Sequence, residues 1–238
     1  MIYRKSKDDI DRMRRSGRIL ARALNKALAA VRPGISTLEL DQIAEESIRA
    51  EGAIPTFKGI YGDPLRGIPA FPATLCISVN DEVVHGIPSG RILKSGEIVS
   101  LDCGVTLEEN GRTFVADSAA TVGVGTISDE LKKLIEVTEQ ALLAGVDKAR
   151  VGNHLHDIGA AVEGVINPHG YGIVREYFGH GVGYRLHEDP LVPNYGRSGT
   201  GPRIKKGWCL ALEPMVNIGG DEVYTLPDKW TVSTRDGS

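Results

Sequence analysis

Two stretches of this chain share one spelling. Lys94-Ser95-Gly96-Glu97-Ile98-Val99-Ser100-Leu101-Asp102 and Lys205-Lys206-Gly207-Trp208-Cys209-Leu210-Ala211-Leu212-Glu213 both read lysine-x-glycine, four residues, then leucine and an acid. Each follows a pair of helix-like segments. Before the first, apolar residues recur at helical spacing through Ile10, Met13, Leu20, Leu24, Leu28 and Val31 until Pro33-Gly34 stops the pattern. Ser36-Thr37-Leu38-Glu39 then reads as a capping box, opening a second helix that runs to about Ala50. Before the second, Ser128-Asp129-Glu130 caps a helix to about Lys148, and Asn153 opens another that ends ahead of Pro168. The repeated order predicts two related halves, about 1–125 and 126–238, facing each other with acids from both meeting between them. The fold class expected is α+β, with helix pairs packed on one face of a mostly antiparallel sheet.

The stretch from Ala53 to Ala73 is rich in glycine and proline and reads as a loop. Strand-like runs follow at Leu75–Val79, Ile98–Leu101 and Thr113–Val122, and strand-like text resumes near Ile173. Asn110-Gly111 is expected to turn the second and third runs into a hairpin. A hydrophobic content of 41%, a charged content of 25% and a net charge of -3 describe a soluble globular chain with no basic surface for nucleic acid or lipid. No run is long and apolar enough for a membrane span, and the N-terminus lacks a signal-peptide core. Cys76, Cys103 and Cys209 read as reduced, packed thiols of a cytosolic protein.

Charged residues end several apolar runs. Asp102 follows Ile98-Val99-Ser100-Leu101, Asp117 follows Thr113-Phe114-Val115-Ala116, and Glu213 follows Leu210-Ala211-Leu212. Gly179-His180-Gly181-Val182-Gly183-Tyr184-Arg185-Leu186-His187-Glu188-Asp189-Pro190 adds two histidines in a glycine-rich frame. An unpaired buried charge is costly, so several converging acids call for a cation. Mixed imidazole and carboxylate donors suit a first-row divalent metal. Either aspartate alone reads more simply as a solvent-facing strand end. His85 and His187 alone read as satisfied core histidines. Cys103 is set aside as a nucleophile, because strand alternation turns it away from the face that Asp102 occupies.

Taken in order, Asn80-Asp81-Glu82-Val83-Val84-His85-Gly86-Ile87-Pro88, Leu101-Asp102, Ala116-Asp117-Ser118, Gly179-His180-Gly181-Val182-Gly183, His187-Glu188-x-Pro190, Glu213-Pro214-Met215 and Trp230-Thr231-Val232 closely resemble type I methionine aminopeptidases of the short bacterial form. The likeness runs from the first helix to the last residue. It implies the pita-bread fold in a single metallo-aminopeptidase domain, 1–238, and two divalent metal ions (cobalt, manganese, iron or zinc). By motif, Asp102 would bind one metal, Asp117 would bridge both, and His180 and Glu213 would bind the other. A metal-bound hydroxide would attack the carbonyl of the first residue, with Glu213 as proton shuttle and His85 and His187 donating hydrogen bonds to the substrate. Phe71, Cys76 and Trp230, with Phe57 beside them, match the pocket for the methionine side chain. The implied substrates are the N-termini of nascent polypeptides with a small second residue, met in the cytoplasm at the ribosome by a monomeric enzyme.

Three departures from the pattern set further expectations. The chain ends at Ser238, short of the last-strand glutamate that bridges both metals in that family. Four protein ligands and an unpaired sheet edge are therefore expected, with a truncated enzyme preferred over a non-catalytic binding homologue. The Asp102–Asp117 hairpin is longer than the family's around Glu108–Arg112; an even insertion at its tip keeps both acids on their face. The segment Gly59–Ala70 beside the methionine pocket is also longer. An Xaa-Pro peptidase shares the ligand types but fits Val83-Val84-His85-Gly86-Ile87-Pro88 less well.

Overall fold

A computed structural model describes residues 1–238. Helices α1 (Lys7–Ala30) and α2 (Thr37–Ala50) both start on complete capping boxes, Ser6 with Asp9 and Ser36 with Glu39. The apolar stripe of α1 narrows to Ile19, Leu20, Ala23, Leu24 and Ala27, all buried. Strands β1 (Ile54–Pro55), β2 (Leu75–Val79), β3 (Glu82–Val84), β4 (Ile98–Glu109) and β5 (Arg112–Gly123) follow. The order β1-β4-β2, with β5 on the other side of β4 from these partners' path, makes one antiparallel sheet. Against it α1 and α2 bury Leu24, Leu40, Ile48, Leu75, Ile77, Val99 and Leu101 in the largest apolar cluster.

The hairpin is longer than its apolar text. β4 and β5 run twelve residues each around Asn110-Gly111, whose φ angles of 51° and 71° give the left-handed pair of a two-residue turn. The stretch expected to be loop also holds the short strand β1 and a 3₁₀ turn at Pro64–Arg66. Both gain structure from tertiary partners: β1 pairs with Val105 and Thr106 of β4, and Asp63 caps the 3₁₀ turn.

A second helix pair, α3 (Asp129–Lys148) and α4 (His156–Ile166), encloses Val137, Ala141, Val162 and Ile166 with Ile173. The start of α4 lies beyond Asn153, because the Asp157 carboxylate takes the His154 N–H and draws that turn shut. The remaining strands are short: β6 (Gly172–Ile173), β7 (Gly179–Gly181), β8 (Glu188–Val192), β9 (Leu210–Ala211), β10 (Val216–Asn217), β11 (Val223–Thr225) and β12 (Val232–Thr234). They form antiparallel groups β8-β7-β9, β10-β6 and β11-β12-β3, so β12 reaches back to β3 from the early part of the chain. Every pairing is antiparallel, and the architecture is α+β as expected. No helix is long and apolar enough to cross a membrane.

Candidate metal centre and catalytic cleft

The register of the long hairpin places the two aspartates. Asp102 lies opposite Ala119 and Gly104 opposite Asp117, so the acids sit diagonally on one face of adjacent strands. Cys103 points the other way, into the core behind the sheet, where burial holds its thiol protonated. Cys76 on β2 is directly opposite Asp102 and shares its face.

His180 comes from β7, which is pressed between β8 and β9. A side chain at Gly179 would strike the Ala211 carbonyl at 2.3 Å, and one at Gly181 the Asp189 carbonyl at 2.2 Å. The glycines let three backbones converge, and β9 leads two residues on to Glu213. Both lysine-x-glycine echoes turn on a left-handed glycine, Gly96 and Gly207 (φ 98° and 89°), and both lead an acid into the cleft. Asn194 holds the Glu213 carbonyl through its side-chain amide at 2.7 Å.

Asp117, His180 and Glu213 each bring a ligand atom within 4.8 Å of the others. His180 Nδ1 donates to the Gly181 carbonyl at 2.8 Å, which directs Nε2 at the acids. Nε2 lies 3.0 Å from Glu213 Oε1 and 3.5 Å from Asp117 Oδ2. Glu213 Oε1 is nevertheless buried without a well-formed hydrogen bond. The three ligand atoms are thus gathered in one place without a full set of hydrogen bonds among them.

Electrostatics agree. Burial first, then Asp117 and Glu213, push the Asp102 carboxyl well above the usual carboxylate range, and burial also raises Glu213. Burial opposes a charge on His180, but contacts with Asp117 and Glu213 outweigh it and lift its pKa to about 10. Without a cation, protons have to neutralise this cluster. A divalent ion does the same more completely, so the donors fit one. Asp102 stands outside the tight triplet but within hydrogen-bonding reach of Asp117.

His85, Asp102, His180, His187 and Glu213 line one cleft of about 550 Å³. The His85 ring meets Tyr177 edge-on at 5.6 Å, and burial lowers its pKa. His187 stands 4.3 Å from His180, centroid to centroid; burial, then that neighbour, depress its pKa to about 4. His85 has φ 60°, and the next residue must approach β2: a Cβ on Gly86 would lie 2.1 Å from the Ile77 carbonyl oxygen. Gly86→Ala is therefore expected to destabilise the chain by about 1–3 kcal/mol and to displace His85. A urea unfolding curve checks the first effect and the shift of the His85 ring resonances the second.

His187 sits on a turn fastened from a distance. The Glu188 carboxylate accepts the Tyr184 and Arg185 N–H groups at 2.6 and 3.0 Å and pairs with Lys5, both side chains being 1% exposed. The extended hairpin clasps the same turn: Val115 N–H donates to the Gly183 carbonyl at 2.7 Å and Thr113 Oγ1 to the Tyr184 carbonyl at 2.8 Å. Asp9 ties them together, accepting from Arg112 at 2.6 Å and from the Tyr184 hydroxyl at 2.8 Å. The long arms of the hairpin thus reach this turn while both aspartates stay on one face.

Phe57, Phe71 and Cys76 are buried in one apolar cluster against which Trp230 packs, with Phe71 and Trp230 edge-to-face at 5.1 Å. They adjoin the cleft but are not among the residues lining it. Sequence reasoning missed Tyr61, Tyr177, Asn194 and Lys5, which act through partners remote in the chain. His156 is turned to Thr200, away from the cleft.

The model of metallopeptidase family M24 matches residues 11–235. The chain belongs to metallopeptidase family M24. Its relatives in that family include a methionine aminopeptidase of Clostridium perfringens, 51% identical over 237 residues, all of this chain and 90% of that protein. Methionine aminopeptidase 1 of Bacillus subtilis is 48% identical over all of this chain and 91% of its own length. The crystal structure of methionine aminopeptidase from Rickettsia prowazekii superposes with a TM-score of 0.92 at 36% identity, covering all of this chain and 92% of that one. The M24 fold of these neighbours is the pita-bread arrangement expected from the motifs.

Proposed function

We propose that this M24 member removes the initiator methionine from nascent proteins whose second residue is small. The observation that carries the reading is the convergence of Asp117, His180 and Glu213 beside two further cleft histidines, His85 and His187. Full-length likeness to proteins named methionine aminopeptidase supports it. Asp102, Asp117, His180 and Glu213 would hold two divalent cations drawn from cobalt, manganese, iron or zinc. When bound, such ions lower the pKa of water and polarise the scissile carbonyl.

The remaining work falls to side chains. The Glu213 carboxylate takes the proton of the attacking water and passes it to the departing amine, a role that requires an acid against the nucleophile. His85 and His187, whose pKa values are lowered so that they stand neutral, donate N–H groups to the substrate amide and carbonyl as charge develops. Phe71, Cys76 and Trp230 receive the methionine side chain, whose thioether packs well on aromatic edges. The setting is cytoplasmic, on chains emerging from the ribosome, and the protein acts as a monomer. In this reading the chain is one domain of two related halves, 1–125 and 126–238, with an acid from each at the metals.

The test is release of methionine from Met-Ala-Ser with Mn(II) or Co(II). Activity is expected with metal, is lost on chelation, and exceeds cleavage of an Xaa-Pro peptide. Failure with every divalent ion, in protein shown to be folded, sinks the reading.

A further inference from the structure

The excursion from Gly59 to Ala70 is a small hairpin held from within. Gly59 N–H donates to the Phe71 carbonyl at 2.8 Å, Phe71 N–H to the Ile60 carbonyl at 3.0 Å, and Asp63 and Ile68 exchange bonds at 2.8 and 2.9 Å. Trp230 Nε1 anchors its return through the Pro69 carbonyl at 2.9 Å. At Gly62 a Cβ would meet the Ala70 nitrogen at 2.9 Å, so the two arms are in contact there. Between these restraints Tyr61 is forced to φ 55°, a left-handed conformation that bulky residues rarely take. Backbone held so firmly in an unfavourable region marks a side chain aimed at a target.

The target is His187. The two rings stack with centroids 5.4 Å apart and planes 21° from parallel, and the Tyr61 hydroxyl lies 2.7 Å from His187 Nδ1. We propose that Tyr61 is a positioning residue for His187: its hydroxyl donates to Nδ1, keeps the ring proton on Nε2, and so presents an N–H donor to the cleft. A neutral imidazole has one donor nitrogen and one acceptor, and the partner of one decides the state of the other. Tyr61 touches neither the acids nor the substrate in this scheme. The catalytic part of the inference rests on the proposed aminopeptidase reading; the tautomer does not.

The experiment compares the full chain with Tyr61→Phe, which keeps the stacked ring and removes the hydroxyl. Histidine-labelled protein is followed by two-bond ¹⁵N–¹H correlation, with and without Zn(II), and His187→Gln assigns the resonance. The expected wild-type pattern is a proton on Nε2, with a mixture of tautomers in the variant and unchanged signals from the other histidines. A proton on Nδ1 in the wild type, or the same tautomer in both proteins, overturns the proposal. In parallel, kcat for Met-Ala-Ser is expected to fall about tenfold while KM holds; an unchanged kcat overturns the catalytic part. A wild-type protein that releases no methionine refutes the functional reading instead, and the tautomer still decides this one.

Discussion

Glu213→Gln is expected to lower methionine release from Met-Ala-Ser by about 10²–10⁴-fold, the span associated with losing a positioned proton carrier. The substitution keeps the volume and the backbone carbonyl that Asn194 holds. It removes the charge of an oxygen that is buried, 3.0 Å from His180 Nε2, and left without a well-formed hydrogen bond. Cation binding should weaken as well, because one of four anionic or imidazole donors becomes a neutral amide. Titration calorimetry with Mn(II), set beside the assay, separates lost metal from lost proton transfer. Activity within a few-fold of the parent would remove Glu213 from the chemistry.

Lys5→Ala is expected to cost about 3–5 kcal/mol of folding stability, because it leaves a buried carboxylate without its counter-charge. Lys5 and Glu188 are each 1% exposed at the side chain, and Glu188 also holds the Tyr184 and Arg185 amides. Such a loss is a large part of the roughly 5–15 kcal/mol that keeps a domain folded. Urea unfolding would read it as a lower midpoint. Adding Glu188→Gln to Lys5→Met should recover part of the loss, since the pair is then removed together. A midpoint unmoved by Lys5→Ala would show that the pair contributes little.

The elements legible in the sequence are those coded locally. α1, α2 and α3 announced themselves through caps and periodicity, and the β4–β5 turn through Asn110-Gly111, because those signals act within four residues. β3 and the two- and three-residue strands after α4 were not legible, apart from strand-like text near Ile173. Their partners are far off in sequence, and they are too short to alternate visibly. The residues now placed round the cleft were legible for a different reason. Charges that end apolar runs are chemically conspicuous, and Asp102, Asp117, His180 and Glu213 all do so or lie in a glycine frame. Tyr61 and Lys5 carry no such mark. Their partners lie 126 and 183 residues along the chain, and nothing near either residue hints at them.

The clasp on the His187 turn also has a direction in time. Its holders, Lys5, Asp9 and Arg112 to Val115, all precede Tyr184–Glu188 in the chain. During synthesis they emerge first, and the hairpin bearing Asp102 and Asp117 is made before the turn it will grip. The last histidine of the cleft is therefore synthesised after every group that grips its turn, and the cleft stays incomplete until the C-terminal segment carrying Glu213 has followed.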